Sequence, residues 1–161
     1  MKALPLVEQE RSIVNGSFAD FDWDKDQMNN RFEQVVGMPW NVHNGRYAIL
    51  VGTSNSVGLV EKIDSMYSFL TEEQKIPKEN VQRLVYTNAT IENIEKAVSE
   101  VSHKANKNDT VYIGFSGEGV KDFFIFNDGK GDYTFGPGMS YKNMDKLVDD
   151  IKATTIIGVS T

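Results

Sequence analysis

The sequence predicts an α/β domain in which a mainly parallel sheet is covered by helices, and three observations point to it. Short continuous apolar runs, "RYAILVG" (46–52) and "TVYIGFSG" (110–117), read as strands covered on both faces. Stretches of helical periodicity separate and follow them, at 57–74, 91–105 and 140–153. Strand and helix therefore alternate, the pattern of βα units whose strands lie parallel. A chain of 161 residues with 40% hydrophobic and 25% charged residues suits one soluble domain with a sizeable core.

Residues 1–44 stand apart from that pattern. They contain "NGSFADFDWDKDQMNNRF" and "VVGMPWNVHNG", rich in Asp, Asn, aromatics and Gly/Pro punctuation. They read as an N-terminal extension that packs on the domain of residues 45–161 through Phe18, Phe21, Trp23 and Trp40, with a short helix around Asp24–Val36. The first strand follows. In the helix after it, Val60, Ile63, Met66, Tyr67 and Leu70 recur at helical spacing. "VQRLVYTNAT" (81–90) returns to strand. Thr90 with Asn93 opens the second helix, whose Ile91, Ile94, Ala97, Val98 and Val101 share a face.

After the third strand, "FFIFNDGKGDYTF" reads as a β-hairpin or loop around Asn127-Asp128-Gly129. Ser140 is the expected N-cap of a third helix over 140–153, with Met144, Leu147, Val148 and Ile151 inward. "TTIIGVST" (154–161) is a fourth strand. In such sheets the working groups sit just past the carboxyl ends of the strands, which brings 52–58, 116–120 and 160–161 into play.

Composition excludes several classes of function. A net charge of −6, with lysines interspersed among acids, lacks the clustered basic surface that nucleic acid requires. No apolar run is long enough for a membrane span, and the apolar stretch of "MKALPLVEQERS" is too short for a secretory signal, so a cytoplasmic location is expected. The chain has no cysteine, hence no disulfide, thiolate metal site or thiol nucleophile.

Each candidate stretch has a functional and a plain reading. In "GTSNSVG" (52–58), Thr53, Ser54 and Asn55 could cradle a phosphate at the next helix N-terminus, although neither Gly-rich nucleotide motif is present and a polar capping turn accounts for the same residues. Glu118, between Gly117 and Gly119, could serve as a base or metal ligand, but no His stands nearby: His43 is in the extension and His103 on the second helix. The hydroxyls of Ser160 and Thr161 lack an identifiable base. The acidic alternation Asp20, Asp22, Asp24, Asp26 fails the EF-hand template, with Lys25 in place of Gly and Arg31 in place of Glu. Helix-start and surface acids explain it, and no cofactor is expected, with calcium left open. "NDGKGD" (127–132) offers oxygens that a turn also needs.

Read in order from Arg46 to Thr161, these segments resemble the caspase-like cysteine peptidases, the group of caspases, metacaspases and their prokaryotic relatives. "RYAILVGTSN" is similar to that family's opening strand and loop, and "VEKIDSMYSFL" to its first helix, with Asp64 near a usual acidic position. "YTNATIENIEKAV" resembles the lead into its second helix. "NDTVYIGFSGEG" resembles its third strand, which ends Ser-Gly-His-Gly, and "MSYKNMDKLVDDIKATTIIGVST" the third helix and the strand that carries the nucleophile. The resemblance implies a three-layer α/β sandwich with a mainly parallel sheet, truncated here after the fourth core strand, as in the large-subunit portion of such a fold. It also implies cysteine endopeptidase chemistry, with Gly117 and Gly119 shaping an oxyanion loop. Glu118 takes the place of the histidine, and Thr161 stands at or next to the position of the cysteine.

A glutamate, with an unperturbed pKa of about 4.3 against about 6.5 for histidine, is a poor proton shuttle and as an anion disfavours a thiolate beside it. The expectation is a caspase-like domain that is catalytically inactive as given, with an interaction or regulatory role, or an inactivated peptidase fragment. A protein or peptide partner is expected, either a C-terminal segment or a second chain, covering the apolar edge strand 154–161. Two alternatives stay open: a flavodoxin-like module that binds a phosphate-bearing ligand at 52–58, and an enzyme using Glu118.

Overall fold

The computed structural model describes residues 45–120 and 123–160. The extension of residues 1–44, with Phe18, Trp23, Trp40, His43 and the acidic alternation, lies outside them, as does Thr161. In chain order the main elements are β1 (Arg46–Gly52), α1 (Val57–Ser68), β2 (Val81–Val85), α2 (Ile91–Lys104), β3 (Thr110–Ser116), β4 (Gly119–Val120), β5 (Phe123–Ile125), β6 (Gly138–Ser140), α3 (Tyr141–Leu147) and β7 (Thr154–Ser160).

Four strands form the main sheet in the order β2-β1-β3-β7, all parallel. The registers align the strand tips: Gly52 pairs with Val85 and Ser116, and Ser116 with Ser160. Successive residues of a strand face opposite sides, so a run such as Ala48-Ile49-Leu50-Val51 needs apolar cover on both. Both covers are present. Ala48 and Leu50 pack with Ile63, Met66, Phe69 and Leu70 of α1 and its continuation. Ile49 and Val51 pack with Ile94, Ala97, Val98 and Val101 of α2 and with Met144, Val148 and Ile151 at α3. All four β1 side chains are fully buried. At about 25 cal/mol per Å² of apolar surface, each full-sized aliphatic side chain removed from water stabilises the fold by roughly 1.5–3 kcal/mol.

The helix caps follow their sequence signals. Thr90 accepts a hydrogen bond from the Asn93 amide at 3.2 Å and Ser140 from the Asn143 amide at 3.1 Å. α1 runs on into a π turn, Phe69–Glu73, after which Lys75 reverses the chain at φ 58°. That end is held by Arg46, 6% exposed, whose guanidinium donates to the Gln74 and Lys75 carbonyls. Three expectations need adjustment. The second strand ends at Val85, because Tyr86–Asn88 winds into a 3₁₀ turn with Tyr86 at φ 55°. The third helix ends at Leu147, and 148–150 form a turn that still buries Val148. The segment from 119 to 140 is a small antiparallel sheet, β4-β5-β6, with the Asn127–Gly129 turn in the loop joining β5 to β6. Phe115 of β3, Phe124 of β5 and Phe126 meet with ring centroids 5.1–6.0 Å apart and fasten this small sheet to the main one.

Candidate functional site

The order β2-β1-β3 means that the chain leaves β1 toward one side and returns on the other. The crevice outside the carboxyl ends of β1 and β3 is therefore the topological switch point, the place where open α/β sheets bind ligands. A cleft of about 290 Å³ lies there, lined by Ser54, Ser56, Gly58, Leu59, Lys62, Ser116, Gly117 and Glu118. The first and second candidate loops thus form one site.

The loop after β1 is tied down by its backbone. The Thr53 amide donates to the Ser116 carbonyl at 3.1 Å, and the Thr53 carbonyl accepts from Asn127 Nδ2 at 3.1 Å. Ser54 Oγ accepts from the Ser56 amide at 3.0 Å, a turn that leads into α1. The polar groups of Thr53 and Ser54 named for a phosphate cradle are thus largely engaged within the protein, and Asn55 is exposed and absent from the cleft wall. The Thr53 hydroxyl is an exception: it is fully buried and has no hydrogen-bond partner among the described residues. A Cβ on Gly117 would stand 2.0 Å from that hydroxyl and 3.2 Å from Phe124 Cζ. Only glycine fits between Thr53 and Phe124, and this close approach is why the strand end reads Ser-Gly.

Glu118 is a single-residue link between Gly117 and β4. Its carbonyl accepts from the Ile125 amide at 3.0 Å, and Gly119 pairs with Phe124 in the small sheet. The main chain here is shaped by that pairing, whereas the carboxylate is exposed on the cleft rim and receives no hydrogen bond among the described residues. Among the described residues no histidine reaches it. His103 is exposed on α2, with Nδ1 2.7 Å from the Ser99 carbonyl, and α2 packs against the face of the sheet opposite α1. Asp64 is likewise remote, paired at 2.8 Å with Arg83, whose guanidinium also stacks over Tyr67. Ser160 aligns with Ser116 by register, so the tip of β7 adjoins the tip of β3.

The acidic loop 127–132 serves the turn. Asn127 Oδ1 accepts from the Gly129 and Gly131 amides at 2.9 and 3.3 Å, and Asp128 Oδ1 from Lys130 and Asp132 at 2.7 and 3.0 Å. The Lys130 amide, above all, holds the Asp128 carboxyl below the ordinary aspartate range. Among the described residues no group of three or more His, Asp or Glu is gathered to hold a metal ion, and no helix is long and apolar enough to cross a membrane.

Sequence reasoning missed two contributors. Asn127, fully buried, is the brace beneath the Thr53 loop, while a turn-forming Asn looks the same in sequence at a surface. Lys62 enters the cleft only through the placement of α1, where it joins Ser116 of the candidate stretch 116–120. Lys62 follows Gly58 by one helical turn, a spacing that could have flagged it. No protein-family model matches the chain, and no curated protein matches it significantly.

Proposed function

We propose that this is a caspase-like domain without peptidase activity in its present form, acting in the cytoplasm through contact with a protein or peptide. The observation that carries the reading is the parallel pairing of β3 with β7. With Ser116 opposite Ser160, the two strands that carry the His and the Cys in that family lie side by side, which supports the reading. Two apolar clusters on opposite faces of the sheet support the three-layer sandwich that the family implies. The chemistry itself is missing: the shuttle position holds Glu118, and the chain contains no thiol. β7 is an edge strand of the main sheet among the described residues. An added strand, from a C-terminal segment or a second chain, is the contact this edge suits.

The test has two arms. Peptides bearing a basic or an acidic residue before the scissile bond should remain uncut by the 161-residue chain, and turnover would overturn the inactive assignment. In a Thr161→Cys variant, alkylation of the new thiol near neutral pH should be faster with Glu118→His than with Glu118 retained, because an adjacent imidazolium favours thiolate and a carboxylate opposes it. Equal rates would mean that positions 118 and 161 are not neighbours, and the family reading would fall.

A further inference from the structure

The cleft between β1 and β3 presents more hydrogen-bond donors than the protein itself uses. α1 has no acidic residue in its first turn, and its N-cap, Ser56, makes no side-chain capping bond. The Val60 amide reaches the Ser56 carbonyl, and among the described residues nothing accepts from the amides of Val57, Gly58 and Leu59. A Cβ on Gly58, which lines the cleft, would meet nothing within 4 Å, so the space beside that residue is open. Lys62, one turn further along, also lines the cleft.

A second observation comes from the sheet. Ser116 is 3% exposed, lines the same cleft, and its hydroxyl has no hydrogen-bond partner among the described residues. Its direction follows from register. Gly52 is its cross-strand partner, and a Cβ on Gly52 would meet Leu59 Cδ2 at 2.6 Å and Ile63 Cγ1 at 3.0 Å, so side chains at this level project toward α1. The hydroxyl of Ser116, on a residue 3% exposed, and the free amides of α1 therefore face one volume. Positive amide ends, hydroxyls and an ammonium together form a receptor for an anionic oxygen cluster. Glu118 lines the same cleft and would repel a bare anion, unless the ligand brings a donor for it.

We propose that this crevice binds the phosphoryl group of a small phosphate ester, with the amides of Val57–Leu59, Ser116 and Lys62 holding the phosphate and Glu118 receiving an ammonium or hydroxyl of the same ligand. This site stands or falls separately from the peptidase-like reading, since it uses neither position 161 nor the β7 edge.

The experiment is an NMR titration of the ¹⁵N-labelled 161-residue chain with inorganic phosphate, with phosphoethanolamine, and with sodium chloride at matched ionic strength. The amide signals of Val57, Gly58 and Leu59 should move with both phosphates and not with chloride, and phosphoethanolamine should bind more tightly. Lys62→Met and Ser116→Ala should each weaken phosphate binding by about three- to tenfold. Glu118→Gln should strengthen inorganic phosphate and shrink the advantage of phosphoethanolamine. Gly58→Asp, which enters open space and suits a helix start, should leave the chain folded and abolish binding. Unmoved amides at 57–59, shifts that chloride reproduces, or affinities indifferent to Lys62→Met and Ser116→Ala would overturn the site. Equal affinity for the two phosphates would overturn the assignment to an ester.

Discussion

Gly117 and Thr53 make a two-residue lock at the top of the sheet. Gly117→Ala forces a methyl against a buried hydroxyl and an aromatic ring, an overpacking that typically costs about 1–3 kcal/mol. Thr53→Ala removes the obstructing, unpartnered hydroxyl, so the double variant should recover most of that loss. Chemical denaturation of the wild type, both single variants and the double variant gives the coupling directly, and additivity would show that the two residues do not touch. Asn127 matters for another reason. Its amide nitrogen satisfies the Thr53 carbonyl inside the protein while its oxygen gathers two turn amides. Asn127→Ala should cost about 2–3 kcal/mol, since a buried carbonyl is left without a donor, and a loss much below 1 kcal/mol would show that water replaces the side chain. At this scale the sequence was legible where chemistry is local. Thr90 and Ser140 cap helices as their spacing implies, whereas the burial of Asn127 depends on Thr53, distant in sequence and invisible to any short window.

Elements differ in how strongly the sequence announces them. β1 and β3 are evident because both faces are buried and the apolar run is unbroken. β4, β5 and β6 span only two or three residues each, too short for alternation to register, and their pairing depends on Phe124 reaching Phe115 and Phe126. Phe124→Ala should therefore destabilise the protein by about 3–5 kcal/mol and shift the amide signals of Gly117 and Glu118, because the same ring supports that link. Unchanged signals there would mean that the small sheet and the cleft are independent. The loop that joins β5 to β6 carries a pH dependence of known sign. Hydrogen bonds from the Lys130 and Asp132 amides lower the folded-state pKa of Asp128, so their ordering effect is complete above the ordinary aspartate pKa and is lost as the pH falls through the lowered value. The two amide signals should titrate together in the acid range, with a midpoint below that of an unperturbed aspartate.

For the whole molecule, the sheet order separates what a helix–strand alternation settles from what it leaves open. Parallel pairing and cover on both faces follow from apolar runs linked by helices, but the placement of β3 beside β1, with β2 and β7 outermost, becomes visible only in the registers. That placement brings the 52–58 and 116–118 segments into one cleft. It also makes β2 and β7 the edges of the main sheet among the described residues, and amide exchange should reflect this: slowest in β1 and β3, faster at the edges. A strand-forming partner of the expected kind should slow exchange in β7 and leave β2 unchanged; the opposite pattern would assign the contact to the wrong edge.

The central position of β1 has a consequence for how the molecule comes into being. This strand leaves the ribosome ahead of both neighbours, and its register with β3, from Arg46 opposite Thr110 to Gly52 opposite Ser116, cannot form until the polypeptide has grown well past α2. Until then the apolar run Ala48-Ile49-Leu50-Val51 waits with one flank bare, at the stage when non-local pairing is slowest and self-association most competitive. Chains halted between α2 and β3 should accordingly be captured by hydrophobic-segment chaperones far more readily than chains released after β7.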